Sequence, residues 1–598
     1  MTSRALLLAA CFLLPFIPTT LHADSRTVKD LAPGINFVQE TTSAFVINAL
    51  TVDLSSPGIR LDSAIARDSL TAGTGDITKG REAVRDLAER KQALGVVNAD
   101  YFGGTGDPLG LGIRNGELYS EPWTRPRVAF GFDSVSRSTL FDVLTFKAEL
   151  SSGNIRVPIK AINRPLSRGD INDIVVYTQL YGPTSGSRPG CIDIVVSGAE
   201  LPLQANRPCN GTVQSVIDGT SSPTVIPDDG VVISASADGQ AGSQLRQVKP
   251  GDKITILARI IPRQAASDAQ AFPRVAALPP PEVRSDSWSR VTTGLGGGPR
   301  LLKDGTITID GTDEGFDDGF VNGGHARTAI GATSDGRLVV LTVEGRPFAS
   351  PGPSLPELAA IIRRYGAINA INLDGGGSTT MALRGVTVNY PNLGTGERRV
   401  ADMLAIYTDN QATIGASDIA LTAPTTPVTV GSTLQMSATL NGKPIQPDDS
   451  RLLWAGPVTN GIGYISQDGI FHSVRPGTGV ATAVFGNNKL TTTVTVIGRP
   501  ITPVSYQMIA RLTPVVDTAS KSTVSIRLND SSGLPGAKIP ITFAVTGGTI
   551  DAATVLTDED GLAKATVTWS ASTGSVTVTA GALTPMVLPY DASKMVRP

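Results

Sequence analysis

The chain has 598 residues, a net charge of −2 and only 17% charged residues. That length exceeds what one hydrophobic core supports and implies three or four domains. The lack of a basic stripe or long charge run speaks against nucleic acid as a partner. With 64 Gly and 41 Pro, and abundant Thr, Val and Ser, the composition is that of a β-rich, turn-rich protein.

Arg4 precedes an apolar run from Ala5 to Ile17, and Leu21-His22-Ala23 offers a small-residue cleavage site. Residues 1–23 therefore read as a signal peptide and the protein as exported, to periplasm, cell surface or medium. Leu8-Ala9-Ala10-Cys11 also matches a lipoprotein box, but the apolar run continues past Cys11, and cleavage after Ala23 fits the usual segment lengths better. No later stretch is long and apolar enough for a transmembrane helix. Cys191 and Cys209 are the cysteines left after cleavage, and in an oxidising compartment they are expected to form a disulfide, the alternative being two buried thiols.

Residues 34–65 alternate apolar and polar and predict strands joined at Ser55-Ser56-Pro57-Gly58. Val84, Leu87 and Ala88 take helical spacing, with Gly95 as the expected C-cap. Then comes Val96-Val97-Asn98-Ala99-Asp100, an apolar strand ending in Asn-x-Asp before glycines. Strands are also predicted at Ile174–Thr178 and Ile192–Val196, and residues 262–290, rich in Ala, Pro and Ser, read as an exposed loop. Asp310 to Gly319 is a dense acidic loop. Its spacing is not that of an EF-hand, so it reads as solvated, and calcium is the one cation it could take; no other cofactor is expected.

His325 and Arg327 share a face of an extended segment, where Arg327 is a candidate phosphate ligand through its bidentate fork. Ser354-Leu355-Pro356-Glu357 is a capping-box pattern opening a helix to Tyr365. It leads into Ala370-Ile371-Asn372-Leu373-Asp374-Gly375-Gly376-Gly377-Ser378-Thr379. This repeats the earlier order of helix, strand, Asn-x-Asp and glycines. Asn372 and Asp374 point to one face of a strand, and the glycine N–H groups could cradle an anion. Taken alone, the motif is more simply a Gly-rich turn with an Asx cap. Arg398-Arg399 leads into a last strand from Met403 to Tyr407. Beyond about 415, short alternating strands rich in Thr and Val have the pattern of Ig-like sandwiches. The expected division is a catalytic region at 24–412, one Ig-like domain at 413–499 and a second at 500–598. The fold class is an α+β catalytic domain with mixed β-sheet and helices, followed by two all-β sandwiches.

The Asp374 stretch, Arg327-Thr328-Ala329-Ile330-Gly331 and Asn98-Ala99-Asp100-Tyr101-Phe102 together resemble, in order, motifs of the phosphodiester glycosidase family. The resemblance covers roughly residues 34–408, and the tail resembles bacterial Ig-like modules, the last of them invasin-type. Two departures touch site positions: the family often has Asn-Gly-Gly-Phe-Phe where this chain has Asn98 to Phe102, and an Asn where Asp402 stands. The resemblance implies hydrolysis of a sugar-1-phosphodiester at the anomeric carbon. Asp374 or Asp100 would be nucleophile or base, with Arg327 and His325 as further catalytic candidates. Asn98, Asn372, Gly375, Gly376, Gly377, Ser378, Thr379 and Arg399 would contact substrate or phosphate. The substrate would be a sugar phosphodiester or envelope polysaccharide, with cell-surface contacts through the Ig-like domains. A second reading is a polysaccharide-binding or adhesive envelope protein without turnover. A third, a dinuclear metallophosphodiesterase, suits the chain poorly, because only His22, His325 and His472 are present.

Overall fold

The computed structural model describes residues 23–593 apart from 72–77, 79, 105, 126, 167–168, 170, 264–285, 347–349, 392–395, 411–418, 423, 425, 458–460, 499–505, 516–519 and 531–532. Residues 1–22 of the expected signal segment and most of the Ala- and Pro-rich stretch lie outside the described residues.

Three sheets build residues 23–407. In the eight-stranded sheet, the N-terminal strands Ala23–Ala32, Ile35–Thr42 and Phe45–Asp53 join strands from far along the chain: Arg337–Gly345, Arg327–Thr333, Ala367–Asn372, Arg300–Lys303 and Thr306–Ile307. A five-stranded sheet runs Val386–Thr387, Met381–Leu383, Gly95–Asn98, Asp402–Tyr407 and Arg60–Ile65. A twelve-stranded sheet takes the intervening chain from Gly112 to Leu295. The strands that carry the two Asn-x-Asp motifs are each paired on both sides. Interior strands of this kind are apolar without strict alternation, which is why both read as short continuous hydrophobic runs.

Both predicted helices form. Leu355–Arg364 opens on the complete capping box, Ser354 accepting from the Glu357 N–H while the Glu357 carboxylate accepts from the Ser354 N–H. Its buried face, Leu355, Leu358, Ala359, Ile361 and Ile362, packs with Ala329, Leu341 and Ala370 of the eight-stranded sheet. The earlier helix, Val84–Lys91, ends at Gln92 in the left-handed conformation, so Gly95 is not its cap but the first residue of the next strand. Part of the stretch read as an exposed loop is anchored: Trp288 is fully buried and its indole N–H donates to Asp142 (2.9 Å).

The expected disulfide is not formed. Cys191 and Cys209 are both free and buried. They sit at opposite ends of an antiparallel pair, since Ile192 faces Asp218 whereas Ser197 faces Thr212. Cys209 is thus separated from the neighbourhood of Cys191 by roughly 30 Å of strand at about 3.3 Å per residue, and a disulfide needs Cα atoms within about 7 Å. They also pack into different apolar clusters, Cys191 with Tyr177 and Val195, Cys209 with Ile194 and Val213.

Beyond residue 418 the described chain is all strand and turn. Tyr506–Pro514, Lys521–Asp530, Leu562–Trp569 and Gly548–Ile550 form one sheet of a sandwich and Thr554–Leu556, Pro540–Thr546, Thr573–Thr579 and Met586–Asp591 the other, with Val524, Ile541, Val567 and Val576 buried between them. The preceding sandwich, from Ile419 to Ile497, closes over Trp454, Phe471 and Phe485. It also packs hard against the first region: Leu453, Ala455 and Val484 join the apolar cluster of Leu31, Leu50 and Leu383. Beside them Lys29, only 1% exposed, donates from Nζ to the carbonyls of Pro447 (2.7 Å), Leu452 (2.7 Å) and Asp449 (3.3 Å).

Burial pulls the Lys29 ammonium down to about 8, against about 10.4 for an unfolded lysine. Between those values the unfolded chain binds the extra proton, so this group makes stability rise with pH from about 8 to about 10.4. Lys29→Met should abolish that contribution. In denaturant unfolding of the full chain, the advantage of wild type over the variant should grow between pH 8 and pH 10, and a difference flat with pH would contradict the assignment.

Candidate active site

The two Asn-x-Asp strands belong to different sheets and meet end to end. Asn98, fully buried, makes the joint: its Nδ2 donates to the Asp374 carbonyl (2.7 Å), and its Oδ1 accepts from Thr328 Oγ1 (2.7 Å) and the Thr380 N–H (3.1 Å). The Asp374 N–H donates to the Ala99 carbonyl (2.9 Å). The glycine motif is the crossover between the sheets, leaving one at Asn372 and entering the other at Met381.

The structure brings Asp374, Asp100 and Asp402 together. Asp100 is 2% exposed; its oxygens accept from the N–H groups of Tyr101 (2.8 Å) and Gly110 (2.7 Å). Gly110 and Gly296 wall it in: a Cβ at Gly110 would stand 2.6 Å from Oδ2, and one at Gly296 would overlap it. Asp402, fully buried, accepts the Asp100 N–H at Oδ1 (3.0 Å), with the Tyr119 hydroxyl 3.5 Å from Oδ2. Burial pushes Asp100 up to about 7, with the Asp374 charge adding to the rise and Arg127 opposing it. Burial holds Asp402 well above the usual carboxylate range, and the nearby Asp100 and Asp374 charges push the same way. Asp374 is also raised by burial, against hydrogen bonds from Ser378 and the Gly375 N–H and the charge of Arg398. Of the three, Asp374 alone is partly open to solvent.

The glycine loop is not an open anion cradle. The Gly375 N–H donates to the Asp374 carboxylate (2.9 Å) and the Gly376 N–H to Ala326 O (2.7 Å). The N–H groups of Ser378 and Thr379 close a 3₁₀ turn onto Gly375 and Gly376. Gly375 and Gly377 are crowded, whereas Gly376, with open space where a Cβ would go, takes a left-handed φ of +58°. A Cβ on Gly375 would meet Ala326 O at 2.9 Å, and one on Gly377 would stand 2.6 Å from the Arg398 guanidinium, which lies over the loop and donates to Ser378 Oγ (3.3 Å).

Asn372 is fully buried, its Nδ2 reaching the Tyr101 hydroxyl (2.8 Å) and Gly298 O (2.9 Å). Thr379, also fully buried, offers its carbonyl to Asn389 (3.0 Å). Arg327 is 1% exposed: Nη2 donates to Phe320 O and Gly323 O (2.8 Å each) and Nε to Pro353 O (3.3 Å). It braces the short helix Asp318–Asn322 rather than holding out a free fork. His325, on the expected common face with Arg327, is exposed where Arg327 is buried, and Arg399 is exposed too.

The acidic loop is solvated at Asp310, Asp313, Asp317 and Asp318, with Asp317 capping the helix; Glu314 alone turns inward, 4% exposed, and accepts from the N–H groups of Val128 and Arg300 (2.9 Å each). Among the described residues no group of three or more His, Cys, Asp or Glu could hold a metal ion. Phe316 of the loop and Phe320 of the helix after it matter more here. Phe316 and Phe320 stack (4.9 Å) beside Tyr101, and the Arg127 guanidinium lies over Phe316 (4.4 Å), Trp123 (5.2 Å) and Tyr101 (5.4 Å).

The sequence reading missed Arg398, whose neighbour Arg399 it named, and it missed Arg127. Nothing local separates Arg398 from Arg399; only the crowding over Gly377 does. The larger described cavity, of about 1240 Å³, is lined by none of the three carboxylates. The site is placed at Asp374 because paired buried carboxylates with raised pKa values mark working sites better than volume does.

Residues 205–407 match the family model for phosphodiester glycosidase. The bovine (Bos taurus) N-acetylglucosamine-1-phosphodiester alpha-N-acetylglucosaminidase is 34% identical over 122 residues, 18% of this chain and 23% of that protein. An SPbeta prophage-derived uncharacterized protein of Bacillus subtilis is 44% identical over 88 residues, 14% of this chain and 13% of that one. The matches thus span less than a quarter of these relatives. In fold, a hypothetical protein from Synechocystis superposes with a TM-score of 0.50 at 22% identity, over 64% of each chain.

Arg398→Gln should reduce kcat/KM on a phosphodiester substrate clearly more than Arg399→Gln, since only Arg398 reaches Ser378 and the Asp374 charge. Steady-state kinetics on both variants, with melting temperatures to confirm folding, decides it; equal effects would remove Arg398 from the site.

Proposed function

We propose that this phosphodiester-glycosidase-like region hydrolyses sugar-1-phosphodiesters, adding water across the anomeric C–O bond to release free sugar and a phosphomonoester. The observation that carries this reading is the partly open Asp374, raised by burial, with Asp100 and Asp402 buried behind it and Arg398 lying over its glycine loop. The family match over residues 205–407 supports the substrate class.

The departing phosphate is a stable anion, since the second proton of a phosphomonoester has a pKa of about 6. Strong protonation of the leaving oxygen is therefore less needed than for an ordinary glycoside. What the reaction needs is a carboxylate at the anomeric carbon and cations for the phosphate. We assign the first role to Asp374. Arg398 is assigned to the phosphate, with Arg127 as the second cation. Phe316, Trp123 and Tyr101 offer aromatic faces on which a sugar could lie. Arg327 and Asn98 act through others: Arg327 holds the Phe320 helix, and Asn98 holds Asp374. We further propose that the polypeptide divides near residues 412 and 499, and that the exported protein acts on envelope or extracellular polymer. The alternative, an envelope-binding protein without turnover, is disfavoured by three clustered carboxylates, because buried carboxyl groups are costly to keep for adhesion alone.

Product analysis on a panel of sugar-1-phosphodiesters should show free sugar, not sugar phosphate. Asp374→Asn should lower kcat by roughly a hundredfold or more while leaving the melting temperature near wild type; near-normal turnover by the folded variant would defeat the proposal.

Asp402→Asn keeps the acceptor for the Asp100 N–H and removes the titratable carboxyl. Asp402 is raised in the folded state, so between about 3.9 and its folded value the native protein binds more protons, and stability falls as pH rises. The variant should therefore be more stable than wild type at pH 8, with the gap closing toward pH 4. Melting curves of both proteins across that pH range read the gap, and a gap that stays constant with pH would contradict the raised Asp402.

A further inference from the structure

The larger cavity, of about 1240 Å³, opens where turn tips of the first region meet the first C-terminal sandwich. Arg60, Lys91, Arg114, Arg137, Arg384 and Lys489 line it, facing the carboxylates of Asp62, Glu89 and Asp409. Three of the cations are matched: Arg114 with Asp62 (3.2 Å), Lys91 with Asp68 (2.7 Å) and Arg60 with Asp409 (3.6 Å). The other three are in no described salt bridge. Arg137 donates to the carbonyls of Leu54, Ile59 and Ser56, and Arg384 to those of Leu31 and Arg451. A guanidinium carries five N–H donors, so both keep donors beyond these anchors. Lys489 is exposed and comes from the sandwich strand Asn488–Ile497.

Arg137 and Arg384 also occupy turn tips at φ +59° and +47°, where an L side chain is strained and Gly or Asn would be cheaper. Carbonyl anchors and costly backbone together fix two cations on the wall of a cavity to which the sandwich adds a third. The volume exceeds the ~300–1,000 Å³ usual for small-molecule sites, so a single phosphate would leave most of it empty. Arg60 faces Tyr407 at the far end of the strand that begins with Asp402, roughly 17 Å away at about 3.3 Å per residue. The cavity is therefore separate from the candidate active site.

We propose that this cavity binds a linear phosphate polyanion, the phosphodiester backbone of an envelope polymer, and holds it on the enzyme away from the reacting bond. The polyanion follows from the charges; its identity as an envelope polymer rests on the function proposed above.

The test uses the full chain and short-chain inorganic polyphosphate, which has no glycosidic bond, so binding is read without turnover and fails or succeeds independently of the catalytic proposal. Calorimetry at low salt should show polyphosphate binding that weakens as salt rises and exceeds that of inorganic phosphate. Lys489→Glu should weaken it roughly tenfold, and Arg137→Gln should weaken it too, with melting curves run on both. Lys443→Glu, an exposed control on the same sandwich outside the cavity, should not. No binding by wild type, or equal loss in Lys443→Glu and Lys489→Glu, would overturn the proposal.

Discussion

One buried amide holds the site together. Asn98 has no solvent exposure, and its side chain donates to the Asp374 carbonyl and accepts from Thr328 and Thr380. Those partners come from the eight-stranded sheet and from the crossover that leaves it. Asn98 itself ends a strand of the five-stranded sheet. An unsatisfied buried amide costs about 1–3 kcal/mol per lost partner, so the two sheets are locked at this point or the network fails together. An Asp here would bring a charge and lose the donor to the Asp374 carbonyl. A Leu would orphan that carbonyl and the Thr380 N–H. The position of Asp374 thus depends on a residue with no solvent exposure of its own.

The elements that could be read from the sequence were those set by local rules. The capping box at Ser354 fixes a helix start by itself, and the apolar run at Ala370 ends where interior pairing ends. The repeated order of helix, strand and Asn-x-Asp carried further than its local content: both copies deliver their Asp to one place. The rest depended on distant chain. Cys191 and Cys209 form a plausible pair on composition, yet strand register sets them far apart. Arg327 and Arg398 look alike in sequence. Only the packed fold shows that Arg327 meets the carbonyls of Phe320, Gly323 and Pro353, while Arg398 lies across Gly377. The acidic loop is solvated at Asp310, Asp313, Asp317 and Asp318, as its composition suggests; what its sequence does not show is that Glu314 turns inward and that Phe316 packs beside Tyr101.

The first sandwich enters the construction of the site as well. A continuous buried chain of amides and one carboxyl joins it to the glycine loop. The Gln467 N–H donates to Gln39 Oε1 (2.7 Å), and Gln39 Nε2 donates to Asn48 Oδ1 (2.9 Å). Asn48 Nδ2 then donates to Glu344 (3.3 Å), and Asn389 donates both to Glu344 and to the Thr379 carbonyl (3.0 Å). Burial pushes Glu344 up to about 8, which leaves it largely neutral at pH 7 and removes the heavier penalty of an unpaired buried charge. Fully satisfied networks of this kind are rigid, and partly satisfied ones are costly. Gln467 belongs to the sandwich, so undocking that module would open the chain at its first link and take the Gln467 N–H from Gln39 Oε1. The architecture thus changes between Tyr407 and Ile419 while the packing continues across the change, and the loop that carries Asp374 is braced from both sides.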